Sequence, residues 1–212
     1  MSSLRELLAN TTVLPVVTID DANSAVPLAN ALLKGGIAAI EITLRTPAAL
    51  DAMAKVAKQV PNMLVGAGTV LSPKDLAACA SAGAAFAVSP GATPTLLAAA
   101  KTSSIALLPG ISTTSDIMLG LEYGLDFFKF FPAATSGGVD ALKAFAGPFS
   151  QLRFCPTGGI SLQTAPSYLA LKNVVCIGGS WITPTSLIQK QDWNAITTLA
   201  REASSLRSAK AN

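Results

Sequence analysis

The stretch Asp126–Pro132, Asp-Phe-Phe-Lys-Phe-Phe-Pro, sets a single lysine between two pairs of phenylalanines. Read as a buried strand, it places Phe127, Lys129 and Phe131 on one face and Phe128 and Phe130 on the other, because side chains two apart share a face. A buried ammonium is costly unless it is paired or gives up its proton. Desolvation favours the neutral amine, which can add to a carbonyl and form a Schiff base. The competing reading is an edge-strand lysine whose head snorkels to water. Besides Lys129, only Glu41 is a charged residue well inside a strand-like run, and Arg45 stands at the end of that run. Glu41, Thr43 and Arg45 share a face by strand periodicity. If that face is interior, a carboxylate and a guanidinium meet Lys129 in one cavity. The alternative is a structural ion cluster.

Two glycine-rich segments follow apolar runs: Thr157-Gly158-Gly159-Ile160-Ser161 and Gly178-Gly179-Ser180. Glycines let backbone amides approach an anion closely, and helix N-termini favour negative charge. Each segment alone reads equally as a turn; two at successive strand ends point to a phosphate. Gly66-Ala67-Gly68-Thr69 offers a hydroxyl and amides to a small carboxylate, or simply a tight corner. Ser89-Pro90-Gly91 and Pro109-Gly110 read as turns, and Trp181 and Trp193 as packing residues. Asp116, Glu122 and Asp140 read as solvated residues on helix surfaces.

These groups need a scaffold, and the chain supplies a repeating one. After a short leading helix over Ser2–Asn10, strands are expected at Val13–Ile19, Ala38–Leu44, Leu64–Val70, Phe86–Ser89, Ile105–Leu108, Phe127–Phe131, Arg153–Pro156 and Val174–Ile177. Helices fall between them, opened by Thr46-Pro47, Ser72-Pro73 and Thr93-Pro94 and closed by Gly35-Gly36, Gly83 and Gly124. A final helix is expected over Trp193–Leu206, then a polar, frayed tail at Arg207–Asn212. Continuous apolar strands suit a parallel sheet covered on both faces. Eight strand–helix units without a linker predict an α/β fold, a single (β/α)₈ barrel domain over residues 1–212. A doubly wound sheet would want a glycine fingerprint after the first strand, where Ile19-Asp20-Asp21 stands instead.

Half of the 212 residues are hydrophobic and 13% are charged, enough for a sizeable core. The net charge of +3 is scattered without a basic run, which argues against a nucleic-acid partner. No apolar stretch reaches membrane-spanning length, so no membrane partner is expected. The polar N-terminus, carrying Glu6, does not read as a signal peptide, and Cys79, Cys155 and Cys176 read as buried thiols of a reducing compartment. A cytoplasmic location follows. The chain has no histidine, which removes the usual triad base and the commonest metal ligand.

With these motifs in place, the sequence resembles the 2-keto-3-deoxy-6-phosphogluconate (KDPG) and 4-hydroxy-2-oxoglutarate (KHG) aldolases, a class I family on a (β/α)₈ barrel. The resemblance runs through Val13-Leu14-Pro15-Val16, Glu41–Thr46, Gly66–Val70, Ser89-Pro90-Gly91, Lys129–Ala133, Pro156–Ile160 and Gly178–Trp181, in order and at compatible spacing. It implies Lys129 as the Schiff-base lysine and Glu41 as the general acid/base. Arg45 and Thr69 would hold a pyruvate carboxylate with backbone near Pro90, and Phe131 and Thr157 would line the pocket. Gly158, Gly159, Gly179 and Ser180 would bind the substrate phosphate. It further implies a small-molecule 2-keto-3-deoxy sugar acid phosphate as partner, a covalent lysine adduct with no metal or other cofactor, and a homotrimer. Ala134 departs from the glutamate that often follows the Lys-Phe-Phe-Pro-Ala stretch, which bears on the local loop contacts. The galactonate epimer of the substrate, a phosphosugar isomerase or epimerase, and a non-catalytic phosphosugar-binding barrel are the alternatives.

Overall fold

The alternation of apolar runs and capped helices is realised in a computed structural model that describes residues 3–206. The chain leads with α1 (Leu4–Leu8), where Ser3 and Glu6 exchange hydrogen bonds in a capping box. After β1 (Val13–Val17), a 3₁₀ turn at Ala22–Ser24 opens α2 (Ala25–Lys34). There follow β2 (Ala39–Thr43), α3 (Ala49–Gln59), β3 (Leu64–Gly68), α4 (Pro73–Ser81), β4 (Phe86–Val88), α5 (Pro94–Thr102), β5 (Ala106–Leu108) and β6 (Gly110–Ile111). The second half runs α6 (Thr114–Glu122), β7 (Phe127–Phe130), α7 (Gly138–Phe145), β8 (Arg153–Pro156), α8 (Ala165–Leu169), β9 (Ile177–Gly179), α9 (Thr185–Gln189) and α10 (Trp193–Ser205). The tail expected at Arg207–Asn212 lies outside the described residues.

Local chemistry explains most helix starts. Ser72 and Thr93 each accept an amide hydrogen bond at the head of α4 and α5, with Pro73 and Pro94 in the first turn. Thr46-Pro47 does not open α3. That helix starts at Ala49, because the Thr46 hydroxyl instead donates to the Ile19 carbonyl and ties the chain beyond β2 to the chain beyond β1. Asp116 is not merely solvated either. It forms a capping box with Thr113 and also accepts from the Ser112 amide.

All strand pairs are parallel. One sheet runs β5-β4-β3-β2-β1-β9 and the other β6-β7-β8. Together they form a curled sheet. The expected fifth strand ends at Leu108 as read, but Gly110, read as part of a turn, opens the further short strand β6 just after Pro109, which has no N–H for a ladder. Its carbonyl still accepts from the Lys129 amide, at 2.9 Å. The expected eighth strand starts later, at Ile177. Val174 makes only a bridge to Phe154, and a second bridge joins Thr157 of the β8 end to Gly178 of β9.

Strand periodicity sorts the apolar residues into two cores. Phe128 and Phe130 join the larger one, between strands and helices, where Phe130 meets Phe145 edge-on with centroids 5.7 Å apart. Phe127 faces the other way, into an inner cluster with Leu14, Phe86, Val88, Leu108 and Cys155. Leu4 and Leu8 of α1 join that inner cluster beside Ala39 and Phe127, the first residues of their strands. The leading helix thus stoppers the N-terminal mouth, and the polar interior lies toward the strand C-termini.

The Asp116 cap makes a pH prediction. Partial burial pushes its carboxyl up, but hydrogen bonds from Ser112 and Thr113 outweigh that and hold it below the usual range. A carboxyl lowered in the folded state stabilises above its unfolded pKa, and this contribution disappears as pH falls through the folded value. Asp116→Asn is expected to cost roughly 0.5–1 kcal/mol at neutral pH. In urea melts the gap to the wild-type protein should close below about pH 4.

Candidate active site

The site begins with a contact across the curled sheet. β2 and β7 are not paired, yet Lys129 Nζ donates to Glu41 Oε1 at 3.3 Å over a separation of 88 residues. Both are buried, with 5% of Lys129 and 1% of Glu41 exposed, so the head of Lys129 does not snorkel to water. Phe86, Val88, Leu108 and Phe127 form the apolar layer on the same inner side. A desolvated ion pair is weakly stabilising at best, and removing one partner is expensive. The 3.3 Å separation exceeds the ~2.7–2.9 Å of a tight charge-assisted bond. The amine is therefore held without being saturated by its partner. Its other close neighbour is the Phe131 ring, whose centroid lies 5.1 Å away.

Register supplies the space around the pair. Glu41 stands opposite Val16 and Gly66, and Lys129 opposite Gly110 and Cys155. No second carboxylate or amine stands at any of these positions. Thr43, two residues beyond Glu41 on the same face, is fully buried and donates to the Val17 carbonyl at 2.9 Å. That uses its one proton, so in the 3.1 Å contact with Thr18 the Thr18 hydroxyl is the donor. Sequence reading missed this hydroxyl pair; the shared strand face was its only signal.

A cavity of about 160 Å³ is lined by Arg45, Phe131, Thr157, Gly158, Gly159, Gly179 and Ser180 among others; neither Lys129 nor Glu41 lines it. Seven of the eleven expected site residues meet there. Phe131, two residues beyond Lys129, links the cavity to the buried pair. Thr69 joins the rim through Arg45, whose Nε donates to its hydroxyl at 3.3 Å. Arg45 does not share the Glu41 interior as strand periodicity predicted. β2 ends at Thr43, so Arg45 belongs to the following turn and is exposed there. Thr69 adopts φ +60°, a conformation that costs a β-branched residue about 1–3 kcal/mol. Pro90 lies outside the cavity lining. It packs against Gly110, the register neighbour of Lys129, with no room for a β-carbon between them.

The glycine pair after β8 is required by its backbone: Gly158 and Gly159 have φ +99° and +72°. A β-carbon on Gly159 would lie 2.5 Å from that of Ala134, and the Ala134 amide donates to the Gly158 carbonyl at 3.0 Å. The departure at Ala134 therefore packs directly on this loop. Gly178 leaves room for the Thr157 side chain and Gly179 for the Trp181 ring, which makes Trp181 a packing residue here. Away from the site, burial and the Asp75 carboxylate push the Cys79 thiol up to about 11, so it offers little thiolate at neutral pH. Among the described residues, no three His, Cys, Asp or Glu side chains gather as a metal site.

The profile of the KDPG and KHG aldolases matches residues 4–199. The chain belongs to that family. It is 54% identical over 202 residues to the KHG/KDPG aldolase of Escherichia coli K12, covering 95% of each chain. The KDPG aldolase of Legionella pneumophila, solved with pyruvate captured as a covalent carbinolamine, superposes with TM-score 0.93 at 45% identity, covering 95% of this chain and 98% of that one. The enzyme of Zymomonas mobilis ZM4, solved with 3-phosphoglycerate, gives TM-score 0.91 at 48% identity, covering 96% of each.

For this family member the buried pair predicts an asymmetry in stability. Lys129→Met leaves the Glu41 carboxylate buried alone and is expected to cost about 3 kcal/mol. Lys129→Met combined with Glu41→Leu should cost less than Lys129→Met by itself. Denaturant unfolding of the two variants checks this; a double variant less stable than the single one would contradict it.

Proposed function

We propose that the protein is a class I aldolase that cleaves 2-keto-3-deoxy-6-phosphogluconate to pyruvate and glyceraldehyde 3-phosphate through a Schiff base on Lys129. 4-Hydroxy-2-oxoglutarate, cleaved to pyruvate and glyoxylate, is its second substrate. The observation that carries this reading is the Lys129 amine, buried and 3.3 Å from a buried carboxylate, with Phe131 between it and a glycine-rich cavity. The family it belongs to and the carbinolamine of its Legionella relative support the same chemistry.

The amine of Lys129 attacks the C2 ketone and gives a carbinolamine, which loses water to become an iminium. Glu41, 3.3 Å from the nitrogen, is placed to take the proton that the amine must shed. It returns that proton to the departing hydroxyl of the carbinolamine and, a carboxylate again, removes the C4 hydroxyl proton, through a water, as the C3–C4 bond breaks. The electrons of that bond flow into the iminium and leave an enamine, while the aldehyde departs. Protonation at C3 and hydrolysis release pyruvate and restore the lysine. The exposed Arg45, steadied by Thr69, grips the substrate carboxylate bidentately. Gly158, Gly159, Gly179 and Ser180 receive the phosphate, with Thr157 and Phe131 between the two ends. Binding energy from the phosphate, remote from the reacting bond, goes into positioning.

The fold proposed with this mechanism is one (β/α)₈ domain. It counts β5 and β6 as one strand interrupted at Pro109, and the bridges from β8 toward β9 support such a ring. A cytoplasmic homotrimer belongs to the same proposal. Leu71 and Met118, with 62% and 59% of their surface exposed, are apolar residues that a subunit contact would cover.

Lys129→Ala is expected to abolish pyruvate release, and Glu41→Gln to slow it roughly 10²-fold or more with the fold retained. Borohydride reduction in the presence of pyruvate should add a reduced three-carbon adduct to residue 129, read by peptide mass spectrometry. Cleavage by Lys129→Ala at the wild-type rate would refute the assignment.

A further inference from the structure

Gly68 closes β3 opposite Thr43, two residues beyond the pairing of Gly66 with Glu41. A β-carbon built on Gly68 would sit 2.8 Å from Cγ and 3.0 Å from Cδ of Glu41, and closer still to Oε1. The three nearest atoms all belong to that one side chain. The carboxylate of Glu41 therefore occupies the space in which any other residue at 68 would carry its β-carbon. The backbone gives no reason for a glycine, because Gly68 lies outside the left-handed region. Gly66 differs: a β-carbon there would strike the Phe86 ring, so its absence serves core packing.

We infer that Gly68 is a positioning residue of the proposed reaction, its missing β-carbon forming the socket that holds the Glu41 carboxylate 3.3 Å from Lys129 Nζ. The inference rests on the aldolase reading above. A methyl group at 68 meets the mobile end of a side chain rather than a backbone. Gly68 meanwhile keeps its ladder contact, with the Leu44 amide donating to its carbonyl at 2.9 Å. The clash is thus relieved by swinging the carboxylate away from the amine, with β3 left in place. Misplacing a catalytic group by about 1 Å can cost on the order of 10²-fold in rate.

The test is a cycle of Gly68→Ala, Glu41→Gln and the double variant, assayed by pyruvate release from 2-keto-3-deoxy-6-phosphogluconate. Gly68→Ala is expected to lower kcat roughly 10²-fold, with KM changed less than about threefold. It should still form the borohydride-trapped pyruvate adduct. Added to Glu41→Gln, it should lower kcat no further, since residues that act as one unit do not contribute additively. Unchanged kcat in Gly68→Ala, or losses that multiply in the double variant, would overturn the inference. If Gly68→Ala does not fold, Glu41→Ala/Gly68→Ala/Lys129→Met decides, because it removes the clash without leaving a lone buried charge: recovery of the wild-type circular dichroism spectrum supports the socket, and failure to fold overturns it. Lys129→Ala, assayed alongside, separates the two claims. Cleavage by that variant removes the aldolase reading and the socket with it; when Lys129→Ala is inactive, the cycle alone decides the role of Gly68.

Discussion

A lysine and a glutamate facing each other in a buried interior constrain almost everything around them. Neither can be placed there alone, because an isolated buried charge is far more costly than the pair. The two come from strands that do not hydrogen-bond to each other, so only a curled sheet brings them to 3.3 Å. The inner residues are matched to suit. Phe86 stands opposite Gly66 and Leu14 opposite Gly178, while Gly68, at the end of β3, leaves room for Glu41. Bulk beside the pair keeps water away from it, and the missing side chains make room for that bulk and for the carboxylate.

The site separates two tasks. The deep layer holds the amine and the carboxylate, and the rim holds groups suited to a substrate's charged ends. Arg45, tied to Thr69, stands on one side, and the Gly158-Gly159 and Gly179-Ser180 loops stand on the other. Phe131 belongs to both layers. The rim carries unusual backbone, with Thr69 at φ +60° and two successive glycines at positive φ, where the deep layer is regular strand. Strain at such positions persists only when the surroundings over-determine it. Here the strands beneath and the helices outside supply that rigidity.

Much of this was legible in order along the chain. The alternating faces of Phe127–Phe131 put Lys129 inside, and the Ser72-Pro73 and Thr93-Pro94 caps opened helices where their chemistry said they would. Thr46-Pro47 misled because the Thr46 hydroxyl had a better acceptor in the Ile19 carbonyl, on a neighbouring strand end that local reading does not see. Arg45 misled for a related reason. Strand periodicity carries a residue to one face only while the strand lasts, and the ladder stops at Thr43. Gly66-Ala67-Gly68-Thr69 read as a corner or a carboxylate site, and local reading did not show that its two glycines make room for Phe86 and Glu41.

Local pattern along the chain was enough for the strand–helix alternation, the inward face of Lys129 and Glu41, and the glycine-rich strand ends. Each of these is set by residues within a few positions of one another, where period-two alternation and capping operate. Three outcomes waited for the folded chain: Glu41 lies opposite Lys129, Arg45 turns to Thr69, and Gly68 hosts a carboxylate. They depend on which strands face each other across the curled sheet and at what register. Sheet curvature and register are fixed by the packing of the whole chain, so no local pattern encodes them.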